Sequence, residues 1–547
     1  MVQSLAARRL AGYAGALVAG VLQAWSVAAP WPSGDGQPLW WLQILSLAAL
    51  VGLLQRAGSV RSAALLGWLF ATSWITASTW WLFISMHTFG GLPAPLAALA
   101  VLALSGFLAL YYAAVCAIYQ RFSAVVQVSI AYKAIIFVAC WLLSELARDT
   151  WFTGFPWAAG GYAHVDGPLA AWASTVGVYG VGALASLLAF CVASLSVRKI
   201  KQSLVVIAAC LVLTGVASVG LGIANLGFTS TQVVNPSALP TNLKIPLDPA
   251  LQRTRVALLQ GNIPQGEKFD SSKGIPLALE WYAQQLASAT ATLVVAPETA
   301  IPLLPQQLPE NYWAALQQRF KTGQQAALVG IPLGSYEQGY TNSVMGLAPA
   351  TLRGGLNVMQ PQPYRYDKHH LVPFGEFTPA FFKWFTRMMN IPLGDFNRGA
   401  IGQDSFHWAG QRWAPNICYE DLFGDELAAR FKDESKAPTV LVNISNIGWF
   451  GNSIAIDQHL HISRMRALEF GRPMLRATNT GPTVIIDHTG RVTYSLPRHT
   501  RGVLVGEVEG RTGITPYAWW AARFGLWPLW LLGVVVLATT WLRSKKP

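Results

Sequence analysis

Cys418 stands where the apolar run Pro415-Asn416-Ile417 gives way to Tyr419 and Glu420. Four of the five cysteines, Cys116, Cys140, Cys191 and Cys210, fall inside hydrophobic stretches, so the long polar part of the chain carries a single thiol. One cysteine can neither close a disulfide within that part nor build a cysteine-rich zinc site. It is either a small core side chain or a nucleophile. Two other groups hold comparable positions. Glu298 follows Leu293-Val294-Val295-Ala296-Pro297, and Lys368 lies within Tyr366-Asp367-Lys368-His369-His370. Taken singly, such a glutamate is a solvated loop residue and such a lysine an ion-pair partner. Glu298 and Cys418 each end an apolar run, and ligands bind at the carboxyl ends of strands in open α/β sheets; Lys368 comes between them in the chain.

The elements around them alternate. Short β-rich runs are expected at Val256–Gln260, Leu293–Ala296, Ala326–Ile331, Val344–Leu347, Pro415–Cys418, Val440–Asn443, Met474–Ala477, Val484–Asp487 and Val503–Glu507. Helices are expected near 275–289, 311–322 and 455–470. Strands alternating with helices indicate an α/β domain. No GxGxxG or GxxxxGK[ST] motif follows a strand, which removes support for nucleotide binding.

The rest of the chain is of another kind. Of 547 residues 53% are hydrophobic and only 12% charged, about half the charged share of an ordinary soluble protein. Apolar stretches of spanning length, roughly 18 residues or more, occur near 10–29, 38–55, 62–84, 95–119, 131–147, 169–197 and 203–225, with one more near 518–542. This predicts a multi-pass helical membrane bundle of about eight spans. The expected organisation is a bundle over 1–228, a linker over 229–252 rich in Pro, Asn, Ser and Thr, an α/β domain over 253–513, and a closing membrane helix with tail over 514–547. Arg8 and Arg9 precede an apolar run ending in Ser26-Val27-Ala28-Ala29; because more spans follow at once, this is an uncleaved first helix. Arg56, Arg61, Arg121, Lys133, Arg198, Lys199, Lys201, Arg543, Lys545 and Lys546 occupy alternate connections. The positive-inside rule then puts both termini in the cytoplasm and the α/β domain outside. The net charge of +13 is partly this topological signal, and with no basic stripe interleaved with aromatics in the polar domain, no nucleic-acid partner is expected.

A Glu after a strand, then a Lys, then a Cys after a later strand resemble the nitrilase superfamily. The segments Ala296-Pro297-Glu298-Thr299-Ala300-Ile301-Pro302, His370-Leu371-Val372-Pro373-Phe374-Gly375-Glu376, Ile417-Cys418-Tyr419-Glu420 and Arg464-Met465-Arg466-Ala467-Leu468-Glu469-Phe470-Gly471-Arg472-Pro473 resemble the apolipoprotein N-acyltransferases. So does the order of bundle, polar domain and closing helix. The resemblance implies an α-β-β-α sandwich. It implies a ping-pong transfer, through a thioester, of an acyl chain from an inner-membrane phospholipid to the α-amino group of the diacylglyceryl-cysteine that begins a bacterial apolipoprotein. It implies Cys418 as nucleophile, Glu298 as general base and Lys368 as oxyanion stabiliser. Their chemistry suits these roles. A thiol is mostly protonated at neutral pH and needs a base or a nearby cation, and a fixed cation at a developing oxyanion is worth about 10²–10³ in rate.

Glu376, Tyr419 and Glu420 match positions in the same motifs and are expected to support the site: the acids by orienting Lys368 or steering protons, or as surface salt bridges, and Tyr419 by lining the acyl site or by packing. His369, His370, His459 and His461 raise a metal reading, but His459 and His461 lie in a helical pattern where i and i+2 do not share a face. Neither a metal nor a cofactor is expected. Phe374, Phe377, Phe381, Phe382, Trp384, Phe385, Met388 and Met389 crowd the segment between Lys368 and Cys418. They are expected either as a core helix or as an arm dipping into the bilayer beside the site, with Trp449 and Phe450 lining the same acyl pocket. The chain departs from the family pattern at Ile447 and Asn452, where Asp is common, and at Phe269, where Trp is common. Two other readings use the same residues. One is a membrane-tethered nitrilase-type amidohydrolase, with water as acceptor. The other is a transporter or scaffold with a dead outer domain, for which Glu145 is the one charged candidate within a span. A monomer is expected.

Overall fold

The computed structural model describes residues 2–30, 36–125, 129–195, 253–335, 337–349, 363–379, 382–386 and 395–545. Its first part is helical: α1 (Val2–Val27), α2 (Trp40–Gln55), α3 (Val60–Thr79), α4 (Ala94–Val125), α5 (Ile130–Thr150) and α6 (Ala173–Ala193). Ser59 and Ser129 cap α3 and α5 by accepting from the Ser62 and Tyr132 amides, which satisfies donors that a helix start leaves free. α3 packs between α1 and α4. Close approach there depends on small residues: a methyl group at Gly20 of α1 would collide with the Phe70 carbonyl of α3.

Among the described residues, five helices are long and apolar enough to cross a membrane: Ala7–Val27, Ala94–Ala124, Ile130–Thr153, Pro168–Ala193 and Trp527–Ser544. The expected spans near 38–55 and 62–84 fall outside that set. α2 has 16 residues, and α3 carries Ser62, Thr72, Ser73, Thr76, Ser78 and Thr79 before a π-helical turn at Ile84–Phe89. The seventh expected span and the linker lie outside the described residues. The final apolar run, expected as a single span, is two helices, broken at Gly525 with φ 54°, and Pro528 lies in the first turn of the second.

The second part is two sheets, each with six strands among the described residues. One is built from β1 (Arg253–Gln260), β2 (Leu293–Val295), β3 (Ala326–Ser335), β4 (Gly339–Leu347) and β5 (Tyr364–Asp367). The other holds β6 (Phe406–Trp408), β7 (Gln411–Ile417), β8 (Val440–Ser445), β9 (Met474–Thr478), β10 (Thr483–Ile486) and β11 (Val492–Leu496). β12 (Gly502–Glu509) returns to β1. β1, β2 and β3 run parallel, as do β7, β8 and β9. The period-two alternation of a strand sends Leu258, Val295, Leu328, Trp413, Ile417, Ile444 and Ala477 into the core between the sheets. The alternate residues face helices. α7 (Gly274–Ser288) and α8 (Tyr312–Thr322) cover the first sheet. α9 (Gly424–Ala428), α10 (Ala455–Phe470) and α11 (Pro516–Phe524) cover the second, and α12 (Trp527–Ser544) returns to α5. This is the expected α-β-β-α sandwich.

Bundle and sandwich share a core. Tyr419, Leu422, Phe423, Ile447, Ile456 and Met465 pack in one apolar cluster with Trp74, Trp81, Trp157 and Tyr162. Inside it, Gln458 Oε1 accepts from the indole N–H groups of Trp81 (3.1 Å) and Trp157 (2.8 Å), and its amide donates to the Ser78 carbonyl (3.1 Å). The apolar surface left outward, including Leu10, Leu99, Leu110, Leu531 and Val534, fits a hydrocarbon surrounding.

Candidate active site

β2 ends at Val295, and the Ala296 amide still pairs with Leu328 O at 2.9 Å. The chain then turns over β3 so closely that a Cβ on Gly330 would sit 2.9 Å from Glu298 Cα, which fixes where the carboxylate begins. Lys368 follows β5, its amide held by Asn342 O at 2.8 Å. Cys418 follows β7 and starts a 3₁₀ turn, Cys418–Leu422. Its φ is 53°, and Thr299 (47°) and Phe374 (63°) are also left-handed. A non-glycine residue there costs on the order of 1–3 kcal/mol and persists only where its surroundings over-determine it.

The surroundings do so. Glu298 and Lys368 are buried. Lys368 Nζ lies 3.4 Å from Glu298 Oε1 and 2.8 Å from Glu376 Oε2. Asn342 Nδ2 donates to both acids, at 2.7 Å to Glu298 Oε1 and 2.8 Å to Glu376 Oε1. The Asn446 amide donates to Glu298 Oε2 at 2.8 Å, and the Val372 amide to Glu376 Oε2 at 2.9 Å. Burial by itself raises the Glu298 pKa, but Lys368, Asn342 and Lys268 outweigh it and hold the carboxyl below its ordinary value. Lys368 is kept firmly protonated, because Glu376 and Glu298 overcome the burial that would discharge it. The Cys418 thiol is pushed up to about 12, by burial first and then by the Glu298 charge, against the pull of Lys368 and Ser445. The resting site therefore holds a neutral thiol beside an ionised carboxylate.

Glu376 pairs directly with Lys368 Nζ. Glu420 is held by other groups. It accepts from the Ile417 amide (2.6 Å), the Tyr366 hydroxyl (2.8 Å) and the His369 amide (2.6 Å), tying the end of β5 to the end of β7. Glu420→Gln presents an NH₂ group where two amides need an acceptor, at about 1–3 kcal/mol per unsatisfied donor. We expect a lower melting temperature and a fall in turnover of roughly tenfold, read by thermal denaturation and rate in parallel; an unchanged melting temperature would refute this role. Tyr419 packs rather than facing the acids: its hydroxyl donates to Gly154 O at 3.1 Å in the bundle.

Phe374 meets Phe382 edge-on at 5.4 Å, and Phe377 lies 4.9 Å under the Arg398 guanidinium. Trp384 is 61% exposed. Phe381, Met388, Met389 and the side chain of Phe385 lie outside the described residues. Trp449 packs on Phe89, and Phe450 on Trp81 at 4.2 Å, so these two aromatics face the bundle. Ile447 is buried in the shared core, while Phe269 is partly exposed. Among the described residues no group of three His, Cys, Asp or Glu could hold a metal ion. His369 bonds Gly399 O, His461 bonds Gly36 O, and His370 lies between Glu426 and Thr153 O. Glu145 is paired with Arg148 and Tyr112.

Lys268 is the charged group that sequence reasoning passed over. It is buried and donates to Glu298 O at 3.1 Å. Burial pushes it down to about 8, against the pull of Glu298 and Cys418. Its place in the loop after β1 was the available signal.

A family model described as apolipoprotein N-acyltransferase N-terminal domain matches residues 19–191, and one described as carbon-nitrogen hydrolase matches residues 255–517. The apolipoprotein N-acyltransferase of Verminephrobacter eiseniae is 57% identical over 93% of this chain and 92% of its own. That of Ralstonia nicotianae is 44% identical over 93% and 90%. Among solved structures, a carbon-nitrogen hydrolase from Helicobacter pylori aligns with 51% of this chain and 94% of its own, at 15% identity and a TM-score of 0.34.

Proposed function

The chain belongs to the apolipoprotein N-acyltransferase family, and from that premise we propose that Cys418, Glu298 and Lys368 carry the acyl transfer. Glu298 Oε takes the Cys418 proton as sulfur attacks the ester carbonyl of a phospholipid. The oxyanion lies against Lys368 Nζ and the Tyr419 amide. When the C–O bond breaks, Glu298 returns the proton to the leaving lysophospholipid oxygen, and the acyl group remains on sulfur as a thioester. The free α-amine of a diacylglyceryl-cysteine then attacks this thioester. Glu298 takes the amine proton, the C–S bond breaks and Cys418 recovers its proton. The pairing of a buried carboxylate and a buried ammonium 3.4 Å apart, both acting electrostatically on Cys418, carries this reading.

Lipid as donor is supported by what surrounds the site. Each methylene moved from hydrocarbon into water costs ~0.8 kcal/mol, so an acyl chain must reach Cys418 without leaving an apolar surface. The exposed apolar Phe382 and Trp384, in the segment that follows Lys368, support such a surface. The alternation of basic residues along the chain supports a topology with both termini on the cytoplasmic side of the inner membrane and the sandwich on the periplasmic side. The proposed steps use side chains and one backbone amide, and call for no cofactor.

Incubation of the purified protein with phospholipid alone, followed by peptide mapping, is expected to show one hydroxylamine-labile acyl group on Cys418. A diacylglyceryl-cysteine peptide is expected to discharge it as an N-acyl product. An adduct discharged equally fast by water alone would favour an amidohydrolase, and absence of any adduct would remove the thioester.

A further inference from the structure

Behind Cys418, on the face of the second sheet that α10 covers, lies a set of buried polar side chains that the proposed chemistry does not use. Asn443, Arg476, Asp421, His459 and Ser463 are all fully buried. Arg476 Nη2 lies 2.9 Å from His459 Nδ1. Arginine can only donate, so Nδ1 is the acceptor and the ring carries its proton on Nε2. That N–H faces Asp421 Oδ1 at 2.8 Å and Cys418 O at 3.2 Å. Asn443 Nδ2 also donates to Cys418 O, at 3.2 Å, while its own Oδ1 accepts from Arg476 Nη1 at 3.3 Å. Ser463 closes the set by donating to Asp421 Oδ2 at 2.6 Å and accepting from Arg476 at 3.0 Å.

Two donors thus hold one carbonyl. A trans peptide is planar, with its C=O and N–H pointing in opposite directions. Pinning Cys418 O toward α10 turns the Tyr419 N–H to the other side of the turn, from which Lys368 and Glu298 arrive on the first sheet. We propose that Asn443 and His459, held by Arg476 and Asp421, are positioning residues that aim the Tyr419 N–H at the acyl oxyanion. The inference rests on Cys418 as the nucleophile. The neighbour of His459 on α10 is Gln458, which Trp81 and Trp157 of the bundle hold.

Both tetrahedral intermediates place their oxyanion at the same donors, so the test measures the two half-reactions separately in the full-length protein. These are acylation of Cys418 by phospholipid and discharge by a diacylglyceryl-cysteine peptide. His459→Leu is expected to slow both by the same factor, about 10- to 100-fold, with the KM for phospholipid unchanged. His459→Gln, whose amide can still donate to Cys418 O, is expected to recover most of the loss. Asn443→Asp keeps the volume but turns an acceptor toward the carbonyl, and is expected to slow both steps alike. It decides the matter if His459→Leu does not fold. Wild-type rates in either His459→Leu or Asn443→Asp would overturn the proposal. So would a loss in one half-reaction only, or a loss that follows melting temperature and that Gln fails to recover. If the unsubstituted protein forms no adduct on Cys418, the nucleophile assignment falls and this inference with it, an outcome visible before any variant is made.

Discussion

Cys418→Ala is expected to abolish acyl transfer, by on the order of 10⁴-fold or more, and to leave no hydroxylamine-labile adduct after exposure to phospholipid. Losses of this size follow removal of the nucleophile from a site whose parts act as a unit. The substitution deletes one sulfur and keeps a Cβ in the same left-handed backbone, where alanine is as strained as cysteine. The carbonyl contacts from Asn443 and His459 do not involve the side chain. The melting temperature should therefore move little, and the lost rate can be assigned to chemistry. Cys418→Ser should be nearly as inactive. An alcohol is a much weaker acid than a thiol, and Glu298, held below its ordinary value by Lys368, Asn342 and Lys268 despite its burial, is a poor base for it. Turnover within tenfold of the unsubstituted protein in Cys418→Ala would refute the assignment.

Lys368→Met is expected to damage both rate and fold. The rate should fall by about 10²–10³, the usual effect of losing one oxyanion donor. The fold should lose on the order of 3–5 kcal/mol at neutral pH, because removing one partner leaves buried charge uncompensated. Glu298 and Glu376 share the Asn342 amide, so without the ammonium they become two facing carboxylates, and one must take up a proton. The sign of the pH dependence then reverses. In the unsubstituted protein Glu298 is held below its ordinary value. Its contribution is present above the unfolded pKa and lost as pH falls through the folded one. In Lys368→Met the folded pKa lies above the unfolded one, so the deficit is greatest at neutral pH and shrinks on acidification. Denaturant melts at two pH values check this. A deficit that grows as pH falls would contradict the arrangement.

Glu298 and Cys418 were legible because each follows an apolar strand, where a charged or nucleophilic group has few structural uses; Lys368 follows the polar β5 and was legible only from the motif around it. The parallel strands were legible because, buried on both faces, they are continuous apolar runs. β5, β6 and β11 were not. β5 spans four residues and carries Arg365 and Asp367, and β11 is mostly exposed, so neither alternates cleanly. The apolar stretch after residue 514 concealed a break, since hydropathy does not register the left-handed turn at Gly525. The helical reading of His459 and His461 held, and it explains their separate fates: one bonds behind Cys418, the other bonds Gly36 O. Asn342, Asn446 and the Arg476 cluster were invisible because side-chain amides and buried cations gain their meaning from partners tens to hundreds of residues away.

The Gln458 clamp stitches the sandwich to the helical bundle beside the site. The indoles of Trp81 and Trp157 hold Gln458, and the next residue of α10, His459, reaches the Cys418 carbonyl. α10 therefore has two anchors one residue apart, one in the bundle and one behind Cys418, and a sandwich cut from its bundle would keep only the second.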